Sequence, residues 1–331
     1  MTGIFESILE WIYGIVNNYG LAVIIFTLLV RLILLPLDFK SRKSMHAMQK
    51  VTPKVQALQE KYKDDRDKLN QKTMELYRKE KVSPASGCLP LIIQMVVLFV
   101  MFGAMRNIAA QKTGEMLFGL MNQLGEAGTI EGVGPIATEG FLWIKNIFQP
   151  DNFGSPILPT FAEAQTAIET AGYAMPTFEG LETLYNNYRG AMYGTGQFTY
   201  IRILFFNITF PNSFDALLNY ANGLFILPIF AALSQIIMTR IGVKKTGKGG
   251  TFSGEPKKQQ PDPQQNPMNS GFMKWFFPLF SLYICAGYNA AFAVYWAAAN
   301  IIAIVQQFVL NKYFEHKDKL AEAANPDTDD I

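Results

Sequence analysis

Ile24-Ile25-Phe26-Thr27-Leu28-Leu29-Val30-Arg31-Leu32-Ile33-Leu34-Leu35-Pro36 is apolar except at Thr27 and Arg31. It belongs to a longer run, Tyr19 to Leu37. At about 1.5 Å per residue a helix of that length crosses a hydrocarbon core of about 30 Å. Four more runs of similar length follow: Cys88–Met105, Asn222–Thr239, Phe272–Tyr288 and Ala290–Leu310. The overall content, 50% apolar and 17% charged, would also suit a soluble domain. The clustering of the apolar residues excludes that reading. Inside lipid every backbone polar group needs a partner within the chain, so the runs are helices. The expected fold class is all-α integral membrane, with five transmembrane helices at 19–37, 88–105, 222–239 and, as a closely joined pair, 272–310.

The connections between these spans differ in charge. Residues 38–87 hold thirteen Lys and Arg against seven acidic residues, whereas 106–221 is acidic, with ten acidic residues against four basic ones in 107–221. The 240–271 connection is basic again, through Lys244, Lys245, Lys248, Lys257 and Lys258. Basic loops stay in the cytoplasm. The expected topology therefore places residues 1–18 and 106–221 outside, and 38–87, 240–271 and the 311–331 tail inside.

Residues 38–87 are too polar for lipid but carry a helical stripe. Met45, Met48, Val51, Val55, Leu58 and Tyr62 step by three or four, and Leu69, Thr73, Leu76 and Tyr77 repeat the pattern. The cluster Asp64-Asp65-Arg66-Asp67 between them has the chemistry of a turn and helix start. Two antiparallel helices, a cytoplasmic hairpin, are expected. At the N-terminus, Ile4, Phe5, Ile8, Leu9, Ile12, Tyr13 and Val16 share one helical face, which predicts an interfacial helix over 1–18. That stretch has no cationic region of the secretory-signal type and no following Cys for a lipid.

Residues 242–267, rich in Gly, Lys, Gln and Pro, read as a flexible linker. The segment Gly242-Val243-Lys244-Lys245-Thr246-Gly247-Lys248-Gly249 has the outline of a phosphate-binding loop. Gly249 stands where a hydroxyl would hold magnesium, and no strand precedes it, so nucleotide binding is not expected. Cys88 and Cys285 both fall in apolar runs, which argues against a disulfide and makes no metal site. His46 and His316 are isolated. No cofactor, metal or bond-changing chemistry is expected, and a net charge of +2 gives no ground for a nucleic-acid surface.

Arg31 is the sharpest functional feature. Burying an arginine mid-membrane costs roughly 2.5–3.5 kcal/mol on insertion scales. It could snorkel toward Asp38, about 10 Å along the helix axis, or it could face a water-filled cavity among the helices. No Asp or Glu lies in any of the five runs, while Thr27, Gln94, Ser234, Gln235, Asn300, Gln306 and Gln307 do. That inventory favours a hydrated groove carrying a positive charge over a proton or cation pathway, which normally uses intramembrane carboxylates. A small-anion channel using Arg31 for selectivity remains an alternative on these residues.

Several segments in sequence order resemble one family. Thr27–Leu37 looks like the first core span of the YidC/Oxa/Albino insertases, and Cys88-Leu89-Pro90-Leu91-Ile92-Ile93-Gln94-Met95 resembles their second-span opening. Phe141-Leu142-Trp143-Ile144 is similar to an external interfacial segment of the family. Val294-Tyr295-Trp296-Ala297-Ala298-Ala299-Asn300 through Gln307 is similar to its last span. The resemblance implies a membrane protein insertase and folding chaperone, without enzymatic activity, in a bacterial plasma membrane. It implies a groove with Arg31 as its cation, Gln94 as lining, and Thr27 and Trp296 as substrate-contacting positions. Implied partners are nascent membrane proteins, with the ribosome and the Sec translocon as further ones.

Three features depart from the family pattern. Val96 stands where a proline is usual. Residues 160–220 are an apparent insertion, in which Phe198–Phe206 is too short to span and contains Arg202, so an interfacial or folded external element is expected there. The 311–331 tail is acidic where ribosome-contacting members are basic, leaving the 38–87 hairpin as the better cytoplasmic contact surface.

Overall fold

The computed structural model describes residues 2–63, 65–82, 89–203, 206–242 and 271–324. Cys88, the 242–267 linker beyond residue 242, and the tail beyond residue 324 lie outside the described residues. The helices are α1 (Thr2–Val16), α2 (Tyr19–Lys61), α3 (Arg66–Lys79), α4 (Leu89–Ala127), α5 (Phe161–Thr170), α6 (Leu181–Tyr193), α7 (Phe214–Tyr220), α8 (Ile226–Gly242), α9 (Gly271–Gly287) and α10 (Ala290–Ala324). Among the described residues, three stretches are long and apolar enough to cross a membrane: Tyr19–Lys61, Ile92–Ala127 and Ala290–Leu320. Ile226–Met238 and Trp275–Gly287 are shorter apolar helices.

The structure corrects the sequence reading in three places. The chain is mostly helical, as expected, but the insertion adds a strand pair: Phe198–Ile203 (β1) and Phe206–Pro211 (β2) pair antiparallel, with Thr199 opposite Phe210 and Ile201 opposite Ile208. β-branched and aromatic residues suit a pleated ladder, and they dominate this run. Second, α4 does not stop near residue 105 but continues to Ala127. Leu117, Leu120, Met121 and Leu124, at i, i+3, i+4 and i+7, are buried and give the extension an apolar face. Third, α8 begins at Ile226 and not at Asn222, because Asn222 is held in a network described below and Phe225 has a positive φ of 63°.

The chain divides into two compact units. The first comprises Met1–Leu29, Phe99–Gln235 and Trp275–Asn300. Within it α1 turns Leu9 and Ile12 inward while Ile4, Ile8, Trp11 and Ile15 remain exposed. Its two carboxylates are engaged: Glu10 accepts from the Tyr19 hydroxyl at 2.7 Å, and Glu6 accepts from Asn107 Nδ2 at 2.9 Å. The Tyr13 phenol donates to Glu139 at 2.7 Å, a hydrogen bond that, with burial, pushes its pKa up to about 12.

The extended face of α4 packs with α5 and α6 into a separate apolar cluster that includes Ile168, Leu181, Tyr185 and Tyr188. A Thr160–Glu163 capping box starts α5. The α6 tyrosines satisfy loop backbone: Tyr188 Oη accepts from Ile136 N at 2.9 Å and donates to Gly134 O at 2.8 Å. Tyr193 donates to Ile136 O at 3.1 Å, and Tyr185 to Pro159 O at 3.0 Å. The described residues of 160–220 are therefore a folded lobe. Gly194 ends α6 at φ 57° with a Tyr220 ring where a Cβ would stand, so both backbone and space call for glycine.

The second unit comprises Val30–Leu98, Ile236–Lys274 and Ile301–Ile331. Here α2 runs on through Pro36 and Pro53 to Lys61. The Asp65 carboxylate then accepts from Lys68 N at 3.0 Å and caps α3, which holds its acid form well down. α3 returns alongside α2: Val51, Val55 and Thr73 are buried, and Lys54 bridges Glu80 at 2.6 Å. The end of α10 lies against α2 as well. Phe39 and His46 stack with Phe314 at 5.7 and 5.0 Å; Asp318 lies 3.1 Å from His46 Nε2 and forms an ion pair with Lys50 at 2.6 Å.

Candidate functional site

Helical spacing assigns Arg31 its side of α2. Leu28, Leu29, Leu32, Ile33 and Leu35 are exposed, Ile33 by 75%, whereas Arg31, Leu34 and Asp38 are half-buried. The arginine is thus displaced from the apolar exposed face, and the residues one and two turns on share its side. In the second unit Asp38 is within electrostatic reach of both Arg31 and Arg42. Asp38, Arg31 and Arg42 therefore form a charged group on this side of α2. Gln94, in the same unit, is half-buried on α4.

Thr27 and Trp296 belong to the first unit. Thr27 is 1% exposed, and its hydroxyl donates to Val23 O at 2.6 Å, one turn back along its own helix. Trp296 is half-buried with its ring 5.8 Å from that of Phe292. Its indole Nε1 is buried and makes no hydrogen bond among the described residues. An unsatisfied buried donor costs about 1–3 kcal/mol, so the indole is a site at which an acceptor would be favoured. Nearby on the same helix, Asn300 donates to Ser234 Oγ at 2.8 Å and ties α10 to α8.

The sequence reading missed a polar knot where α8, α9 and α10 approach the 141–157 loop. Asp151 is fully buried. Its Oδ1 accepts from Trp143 Nε1 (3.1 Å) and Leu224 N (2.9 Å), and its Oδ2 from Leu227 N (2.7 Å), placing a carboxylate at the start of α8. Asn222 accepts from Asn146 N at 2.7 Å and donates to Asn146 O and Pro150 O, both at 2.9 Å. The same loop accepts Ala290 N and Ala291 N on Gln149 O and Ile147 O, both at 2.9 Å, and Asn152 donates to Ala286 O. A Cβ on Gly223 would strike the Asp151 carboxylate. The dipeptide Asn222-Gly223 was a readable turn signal. Nothing local marked Asp151.

Long apolar helices, a half-buried arginine in the first of them and buried polar ties between the others define a polytopic helical membrane protein. The family model described as "60Kd inner membrane protein" matches residues 11–220 and 204–318. The chain belongs to that family, the YidC type of membrane protein insertase. Over 100 residues it is 46% identical to "Membrane protein insertase YidC" of Anaeromyxobacter dehalogenans (strain 2CP-C), 30% of this chain and 18% of the relative. The relative of that name from Fusobacterium nucleatum is 48% identical over 92 residues, 28% of this chain and 45% of the relative. The one from Syntrophus aciditrophicus is 50% identical over 97 residues, 29% and 18% respectively. The matched stretches span less than half of each of these relatives.

Proposed function

We propose that this chain is an insertase and folding chaperone that passes short tails and transmembrane segments of nascent membrane proteins into the bilayer. Its first 18 residues and residues 106–221 lie outside, and residues 38–87, 240–271 and the C-terminal tail lie in the cytoplasm. Arg31 supplies the attracting charge, Gln94 lines the path, and Trp296 meets the client through its half-buried ring. Thr27, with its hydroxyl already committed, serves as wall. The ribosome and the Sec translocon are proposed partners on the cytoplasmic side, through the α2–α3 arm. Family membership supports the reading. The observation that carries it is the half-buried Arg31 within an apolar span, set apart from that helix's exposed apolar face.

A charge pair near 4 Å at an effective dielectric of about 20 is worth roughly 4 kcal/mol. That is enough to offset part of the desolvation of one client carboxylate. The test is insertion into proteoliposomes of matched clients that differ only in tail acidity. Arg31→Lys should retain much of the activity, since a point charge suffices without bidentate geometry. Arg31→Ala should lose clients with acidic tails and spare neutral ones. Equal loss for both would reject the electrostatic role.

A further inference from the structure

The inserted lobe exposes apolar side chains where they have no role in its own core. α7 carries Phe214, 74% exposed, and Leu218, 50% exposed, one turn apart on a single face, with Ala216 buried behind them. The polar residues of the helix pair with each other, Asn219 donating to Asp215 at 2.7 Å. Leu142, also 74% exposed, sits in a tight turn at φ 55°, three residues before Lys145. The two elements are fastened together. Lys145 N donates to Asn222 O at 3.1 Å, and Lys145 Nζ to Leu218 O at 2.7 Å.

Chain continuity says what covers this patch. α7 ends at Tyr220 and α8 starts at Ile226. Six residue steps reach at most about 20 Å even when extended, and the Asp151 and Asn222 bonds hold that connection rigidly. α8 then presents Ile226, Ile229, Phe230, Leu233 and Ile237 as an exposed apolar stripe suited to lipid. We propose that α7 of the inserted lobe forms an interfacial anchor, inserting Phe214 and Leu218 into the bilayer surface at its own end of the spans, as an addition to the turn that carries Leu142. The occupant of this face is lipid, held by apolar insertion. Attraction to anionic headgroups does not contribute, because residues 107–221 carry ten acidic residues against four basic ones. The proposal is independent of the groove reading, since it needs only that α8 lie in a membrane.

The test uses the full chain in phosphatidylcholine vesicles, with Cys88 and Cys285 replaced by Ala and single cysteines at 142, 214, 218 and 219 carrying an environment-sensitive fluorophore. Asn219 is exposed on the other side of α7 and serves as the aqueous control. Nitroxide lipids labelled near the headgroup should quench 142, 214 and 218 several-fold more than 219, and iodide should show the reverse order. Iodide quenching at 214 and 218 equal to that at 219 would overturn the anchor. Protection from both quenchers that fades as protein is diluted into lipid would also overturn it, in favour of a second copy. As a check without substitutions, a diazirine-bearing lipid should leave adducts on 214–218 of the unsubstituted chain; adducts confined to the long apolar helices would refute the proposal.

Discussion

Replacing Asp151 tests the account of how the loop holds α8. The carboxylate is fully buried and receives three N–H donors, from Trp143, Leu224 and Leu227. Asp151→Ala strands all three, at about 1–3 kcal/mol each when buried. It also removes a negative charge from a helix start, worth about 0.3–1 kcal/mol. Water entering the vacated volume recovers part of this, leaving a loss of about 3–5 kcal/mol. Asp151→Asn keeps Oδ1 but sets an NH2 against the Leu227 N–H, for a loss of about 2 kcal/mol. In a domain of this size each kcal/mol lowers the Tm by about 2–4 °C. Thermal melting in nanodiscs should therefore rank wild type above Asn and Asn above Ala, with the Ala variant about 10 °C down. Gly223→Ala, whose Cβ strikes the same carboxylate, should fall alongside. An Ala variant that melts with the parent would refute the reasoning, since it would mean the three donors find equal partners elsewhere.

Ser234→Ala removes the acceptor of the Asn300 amide. It should cost about 0.6–1.7 kcal/mol, the range for such bonds between membrane helices, and a double-mutant cycle with Asn300→Ala measured by unfolding should show the coupling. Thr73 is buried with its hydroxyl unbonded among the described residues. Thr73→Val should therefore stabilise the α2–α3 arm by about 1 kcal/mol, read as slower amide exchange in α3. The Tyr13 pKa is raised, first through its bond to Glu139, to about 12. A raised folded pKa gives stability that is full below the unfolded value near 10 and is lost as pH climbs toward 12. Melting between pH 9 and 12 should show that loss in the parent and less of it in Tyr13→Phe.

The membrane class was legible because apolar residues cluster in runs of one bilayer thickness, and this signal survives ignorance of every contact. Arg31 stood out for the same reason: charge is conspicuous against such a background. The continuation of α4 was present in the spacing of Leu117, Leu120, Met121 and Leu124, but an amphipathic helix attached to a span is easily cut at the last wholly apolar turn. Thr27 shows a different limit. Sequence places it on the Arg31 side of α2, yet whether a hydroxyl faces a client or bonds its own i−4 carbonyl depends on what packs against it. Asp151 was illegible because its donors come from residues 143, 224 and 227, and only the return of the chain after the lobe brings them together.

That return has a consequence for how the chain could be rebuilt. Pro156 and Ala221 form a bridge, and Asn222 N donates to Ser155 O at 2.9 Å, so the lobe leaves and re-enters at one point. Paired residues across an antiparallel bridge sit about 4.5–5.5 Å apart, a gap that one or two residues can close. The site is a socket: a different folded module with adjacent termini could be plugged in without lengthening either strand of the joint. The lobe's resting place on α4 would then need polar replacements at Leu117, Leu120, Met121 and Leu124, because those four side chains would lose their cover.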